Sequence, residues 1–189
     1  LAFQASYYRL NCFFQIEGRH VVDQVDAFLQ IYGKFRPNDT RIHTAMLMKA
    51  ETLFAADDIA AAAISYSKID TTLLSESNRP GFLYQRGWCL AEAGDSQGAI
   101  RSLSDFINNY PEDSRIYPAL VKRAQAYAEA GEPAKAITDF DRLTMDEKAP
   151  DDLSSLAWLE SARTRRKEGN IENMLVRYKG LLSKVDDLT

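Results

Sequence analysis

The side chains best able to do chemistry are few: two cysteines, Cys12 and Cys89, two histidines, His20 and His43, and a basic run at Arg163, Arg165, Arg166 and Lys167. Metal binding needs several such ligands at short spacing, yet neither cysteine has a CxxC neighbour and His20 and His43 stand apart. The cysteines fall in different structural units, beyond the ~7 Å Cα limit for a disulfide, so both are expected as buried free thiols. No nucleophile motif, no phosphate-cradling glycine loop and no readable acid pair occurs among the Ser, Asp and Glu residues. The expectation is a chain that is not an enzyme and holds no metal or cofactor. The basic run has two readings, a solvated helix face screened by Glu160 and Glu168, or a surface for an acidic segment.

The formal net charge of −4 argues against nucleic acid as the principal partner, since phosphate binding needs a concentrated basic surface. No apolar run approaches the ~20 residues of a membrane-spanning helix. The chain opens at Leu1 rather than Met, which reads as a trimmed chain or a fragment of a longer one.

The elements that must position any site come from an internal repeat. The segment from Pro37 to Tyr66 is a copy of Pro111 to Phe140: Asp39 aligns with Asp113, Arg41 with Arg115, Ile42 with Ile116 and Ala50 with Ala124, a separation of 111 − 37 = 74 positions. Half that step, 37, places a small residue at Ala50, Gly87, Ala124 and, after one extra residue, Ala162, with a second small column at Ala62, Ala99 and Ala136. A fixed period in this range marks stacked supersecondary units. The expected fold is all-α, a right-handed α-solenoid of about five antiparallel helix pairs over one domain, 1–189, with approximate pairs 2–36, 37–74, 79–110, 111–148 and 151–186.

Apolar spacing of three and four residues predicts helices over Ala2–Ile16, stopped by Gly18, and over Val21–Tyr32. The next pair runs from a cap at Asp39 or Thr40 to Ala55, turns at Asp57 and Asp58, and returns over Ile59–Ile69 before a polar linker from Ser75 to Pro80. Later pairs, Gly81–Ala93 with Gln97–Asn108, the pair around Pro133, and Leu153–Lys167 with Ile171–Val185, turn at Gly94, Gly131 and Gly169, where glycine takes positive φ without steric cost. The first helix reads as buried, although Phe13 stands where later pairs carry Ala or Gly. Arg165 replaces Leu53, Leu90 and Tyr127 in its column and predicts a last helix face turned to water, as on a capping repeat.

These columns resemble the tetratricopeptide repeat. In the third pair they read Leu83, Gly87, Leu90, Gly94, Ala99, Leu103, Pro111, and in the fourth Leu120, Ala124, Tyr127, Gly131, Ala136, Phe140. The departures are a period longer than the usual 34, a consensus Trp present only as Trp158, and a weakly matching first pair. Between repeats, Tyr110, Pro111, Glu112, Asp113 and Ser114 look like the linkers of tetratricopeptide-like proteins of the bacterial envelope, which leaves the compartment open between periplasm or envelope and cytoplasm.

The resemblance implies a non-enzymatic scaffold that holds a protein or peptide in a groove formed by the first helix of each pair. One groove column is Leu10, Leu47, Tyr84, Val121, Leu159, and its neighbour is Phe14, Glu51, Trp88, Gln125, Arg163. The candidate partner-binding residues are Leu47, Glu51, Tyr84, Trp88, Val121, Gln125 and Arg163. The first column has none of the Lys, Asn and Arg with which family members clamp a C-terminal carboxylate, so that ligand mode is rejected. Two other classes stay open: an architectural spacer or oligomerisation segment, and an accessory domain of a larger enzyme or envelope complex. Tyr7, Tyr8, Phe13 and Phe14 cannot all face one neighbouring pair, because adjacent helical residues diverge by about 100°. Tyr7, Tyr8 and Phe14 are accordingly expected to contact upstream repeats or a second copy.

Overall fold

Apolar stripes interrupted by Gly, Asp and Pro fold into ten α-helices among the described residues of a computed structural model, which describes 1–16 and 20–186. They are α1 (Ala2–Ile16), α2 (Val21–Tyr32), α3 (Thr40–Ala55), α4 (Ile59–Ser67), α5 (Arg79–Glu92), α6 (Ser96–Asn109), α7 (Ile116–Glu129), α8 (Pro133–Met145), α9 (Asp151–Lys167) and α10 (Ile171–Asp186). Gly18, the expected stop after α1, lies outside the described residues. Several bounds of α5, α6, α9 and α10 differ from the sequence reading by one or two residues, and two differences bear on the packing. The helix expected to reach Ile69 ends at Ser67, and the polar linker is shorter, with a 3₁₀ turn at Thr71–Leu73 and α5 starting at Arg79 with Pro80 in its first turn.

The repeat is visible atom by atom. Asp39 Oδ1 accepts the backbone N–H of Arg41 at 3.0 Å, and its carboxylate takes the Arg41 guanidinium as a fork at 2.9 and 2.8 Å. Asp113 and Arg115, 74 positions on, repeat the arrangement at 2.9, 2.8 and 2.7 Å. The bonded guanidinium holds each carboxyl below the ordinary carboxylate range.

The turns step likewise. Among the described residues those with positive φ are Asp57 (61°), Gly94 (80°), Gly131 (76°) and Gly169 (75°), spaced 37, 37 and 38. At three of these turns paired bonds close the preceding helix, with Asp58 N–H to Leu53 O, Glu132 N–H to Tyr127 O and Asn170 N–H to Arg165 O. The next residue then opens the return helix: Asp58 accepts from Ala61 N–H, Asp95 from Gly98 N–H and Asn170 from Asn173 N–H. Asp57 alone bears a side chain in the left-handed region. Asp57→Gly is therefore expected to stabilise the protein by about 0.5 kcal/mol, the relieved strain less glycine's larger unfolded-state entropy. A urea midpoint that falls instead would show that the aspartate side chain itself secures this turn.

Two compact units divide the chain, Leu1–Ala93 and Gly94–Thr189. In the first, α1 to α5 pack in chain order, and α3 also touches both α1 and α5. In the second, α6 to α10 pack in order, and α7 also touches α9. Within each unit the odd-numbered helices thus form a layer of their own. The small columns do what their size requires: Ala50, Ala62, Ala99, Ala124, Ala136 and Ala162 are fully buried and Gly87 is buried.

The first unit's core joins Phe3, Leu10, Val21, Val25, Phe28, Ile42, Ala45 and Met48. Phe3 stacks on Phe28 at 5.5 Å, and the guanidinium groups of Arg36 and Arg41 lie 4.7 and 4.5 Å from its ring centre. His43, buried, is structural: its Nδ1 accepts the Asp70 amide, so Nε2 donates to the Pro37 carbonyl and ties the start of α3 to the end of α4. In the second unit two aspartates on α8 bind both neighbours. Asp139 receives Arg123 of α7, and Asp141 receives Arg165 and Ser161 of α9.

Three expectations are corrected here. The helix α1 is not buried all round: among its described side chains only Phe3 and Leu10 are buried, because its main packing is on α2 and α3. Cys12 is exposed, whereas Cys89 is buried as expected and burial pushes its thiol up to about 11. Arg165 does not turn its face to water: its side chain is 14% exposed because Asp141 draws it in at 2.7 Å.

Candidate functional site

Each unit carries an open cleft bordered chiefly by its odd-numbered helices. In the first unit a cleft of about 700 Å³ is lined by Phe14 of α1, Val22 of α2, Glu51, Thr52, Leu53 and Ala55 of α3, Ala56, and Gln85 of α5. Its walls are mainly apolar, with Ala55 and Ala56 leaving the space that larger side chains would fill. Thr52 spends its hydroxyl on the Met48 carbonyl one turn back. Gln85 accepts the buried Tyr66 hydroxyl at 2.9 Å through Oε1, which fixes its amide. Burial raises the pKa of Tyr66, so that hydroxyl stays a donor.

Glu51 is the cleft's one acid. It is half-buried, and among the described residues its carboxylate has neither a hydrogen bond nor an ion pair. Desolvation raises its pKa above the ordinary 4.5. The native state therefore holds this proton more tightly than the unfolded chain, and stability falls as pH rises from about 4.5 through the raised native value. Glu51→Gln is expected to gain about 1 kcal/mol at pH 7, and the gain should vanish once both states are protonated below that window. Urea titrations of the two proteins across pH 3–8 measure it; a gain of the same size at every pH would contradict the assignment.

In the second unit a cleft of about 390 Å³ is lined by Gln125, Ala128 and Glu129 of α7, Phe140 of α8, and Glu160, Arg163, Thr164, Arg166 and Lys167 of α9. Glu160 holds Arg163 at 2.6 Å, the pairing expected from helical spacing. Arg166 and Lys167 are exposed.

The structure sorts the candidate residues. Phe14 and Glu51 share the first cleft, and Gln125 and Arg163 share the second. Tyr84 and Trp88 are half-buried on α5 with ring centres 5.8 Å apart, and neither is among the residues lining these clefts. Leu47 and Val121 are corrected: at 2% and 6% exposure they are core, although Tyr84 and Leu159 in the same column are half-buried. Tyr8 is 57% exposed, whereas Tyr7 packs near Phe28 with ring centres at 6.3 Å and Phe14 turns into the cleft. Sequence reasoning missed Gln85. The sequence carried no signal for it, since the 37-residue step puts Asn11, Met48, Gln85 and Lys122 in one column where a polar residue is ordinary.

Helix pairs that cross at alanine or glycine and turn through a left-handed residue every 37 or 38 positions define an all-helical repeat fold. Residues 82–113 and 118–144 match the tetratricopeptide repeat family model, so these stretches are tetratricopeptide repeats and the chain has the fold of the tetratricopeptide helical solenoids. Solved structures agree along nearly the whole length. YrrB, described as a tetratricopeptide repeat protein with an unusual peptide-binding site, is 15% identical, with 94% of this chain and 84% of that one covered at a TM-score of 0.72. MamA from Desulfovibrio magneticus RS-1 is 14% identical, with 96% and 92% covered at 0.61. The kinesin light chain TPR-like repeats of Podosopora anserina are 12% identical, with 96% and 94% covered at 0.62. No curated protein matches the chain in sequence. No helix among the described residues is long and apolar enough to cross a membrane.

Proposed function

We propose that this chain is a non-enzymatic interaction scaffold that takes a peptide or protein segment on the odd-numbered helices of its tetratricopeptide repeats. The observation that carries the reading is the pair of open clefts on those helices, each lined by two of the groove positions marked by the 37-residue step, Phe14 with Glu51 and Gln125 with Arg163. A peptide-binding site in YrrB, a protein of the same fold, supports it. Peptides selected from a random library on the purified protein, mapped by amide chemical shifts, test it. Shifts centred on α1, α3, α5, α7 and α9, with Val22 of α2 and Phe140 of α8 where they line the clefts, are expected, and peptides seated on the even-numbered helices away from both clefts would overturn it.

A second reading, self-association or contact with further repeats, draws on the exposed Tyr8 and on an apolar strip of α10, where Ile171, Leu175, Val176 and Leu182 are each at least half exposed. Sedimentation of wild type against Tyr8→Glu and Leu175→Glu tests it; a monomer at high concentration in all three removes it.

A further inference from the structure

We infer that the cleft of the first unit recognises a basic side chain, a lysine or arginine of the partner segment carried beside an apolar residue, through Glu51. The inference rests on the scaffold reading above and gives its first cleft a ligand chemistry. The other acids of this unit that face a neighbouring cation are satisfied: Asp39 holds Arg41, and Asp26 holds Lys49 at 2.6 and 2.8 Å. Lys49 is the only cation on α3 besides Arg41, so both are spent, and Glu51 is left half-buried among apolar walls with no partner of its own. An uncompensated acid in such a place costs stability, and an arriving cation repays that cost.

The shape fits a basic residue better than a bare ammonium or a metal ion. Phe14, Val22 and Leu53 offer apolar surface for the aliphatic stem of Lys or Arg, whose charged head then meets the carboxylate. A lone carboxylate is too few ligands for a metal, and no group of three or more metal-binding side chains occurs among the described residues. The cleft, at about 700 Å³, has room for a neighbouring apolar side chain as well. Gln85, fixed by Tyr66, offers its amide N–H to a backbone carbonyl of the segment.

The probe is acetyl-Ala-Leu-Arg-Leu-Ala-amide, titrated into the full chain by NMR beside the same peptide with citrulline, the neutral isostere, for arginine. The arginine peptide is expected to shift amides of Val22 and of residues 51–56. The citrulline peptide, and the arginine peptide on Glu51→Gln, should bind at least about tenfold more weakly. Because Glu51→Gln is expected to be the more stable protein at pH 7, lost binding cannot be ascribed to unfolding. Equal affinity for the two peptides or the two proteins overturns the inference. So does an arginine peptide that leaves this cleft unshifted while library peptides occupy the odd-numbered helices, an outcome that spares the scaffold reading. Library peptides seated on the even-numbered helices away from both clefts overturn both.

Discussion

Arg123→Ala is expected to destabilise the protein by about 3 to 5 kcal/mol. The Arg123 guanidinium forks onto Asp139 at 2.8 and 2.7 Å and donates to Ser104 Oγ at 3.1 Å, with its carbon 5.8 Å from the Tyr127 ring centre. The two side chains are only 12% and 7% exposed, so water cannot replace the lost partner. Removing the arginine strands a charge between α7 and α8, and a typical domain has only about 5 to 15 kcal/mol in hand. The double change Arg123→Met with Asp139→Leu should recover most of the loss, since it leaves no buried charge behind. Urea midpoints decide: a single variant within about 1 kcal/mol of wild type would mean that the pair is solvated in solution.

Ala124→Leu and Gly87→Leu should each cost about 1 to 3 kcal/mol, because both positions are buried where helices approach closely and a large side chain must push neighbours off their rotamers. Ala128→Leu, one turn further along α7 on an exposed position, is the control and should be nearly neutral. If all three melt alike, the small columns do not mark crossings and the period is a coincidence of composition.

The period was legible because it is written in residues with no alternative role: alanine or glycine at a crossing, and glycine or aspartate at a left-handed turn. Helix bounds followed, with α1, α2 and α3 matching to the residue and α4 ending short because Ile69 reaches the core from beyond the helix. The faces were harder. The two groove columns lie four residues, one turn and only about 40°, apart, yet Leu47 and Val121 fell on the core side while Glu51 and Gln125 opened onto clefts. Arg165 showed the opposite error. A charged residue in an apolar column reads as exposed unless the partner is known, and Asp141 lies on another helix, 24 positions away. The first cleft was illegible for a different reason: it exists where Ala55 and Ala56 fail to fill space, and absence of volume has no motif.

The two aspartates of α8 also bear on how the second unit comes apart. Asp139 and Asp141 point to opposite sides of one helix, one clasping α7 and the other α9. Peeling α9 away would bare Asp141 and Ser161 together, so fraying from that side meets a threshold that apolar contacts alone would not impose. In a repeat array, where opening normally runs inward one pair at a time, such a clasp merges neighbours into a single opening unit. Amide hydrogens of α7, α8 and α9 should then exchange at a common rate, and Asp141→Asn should let those of α9 run ahead.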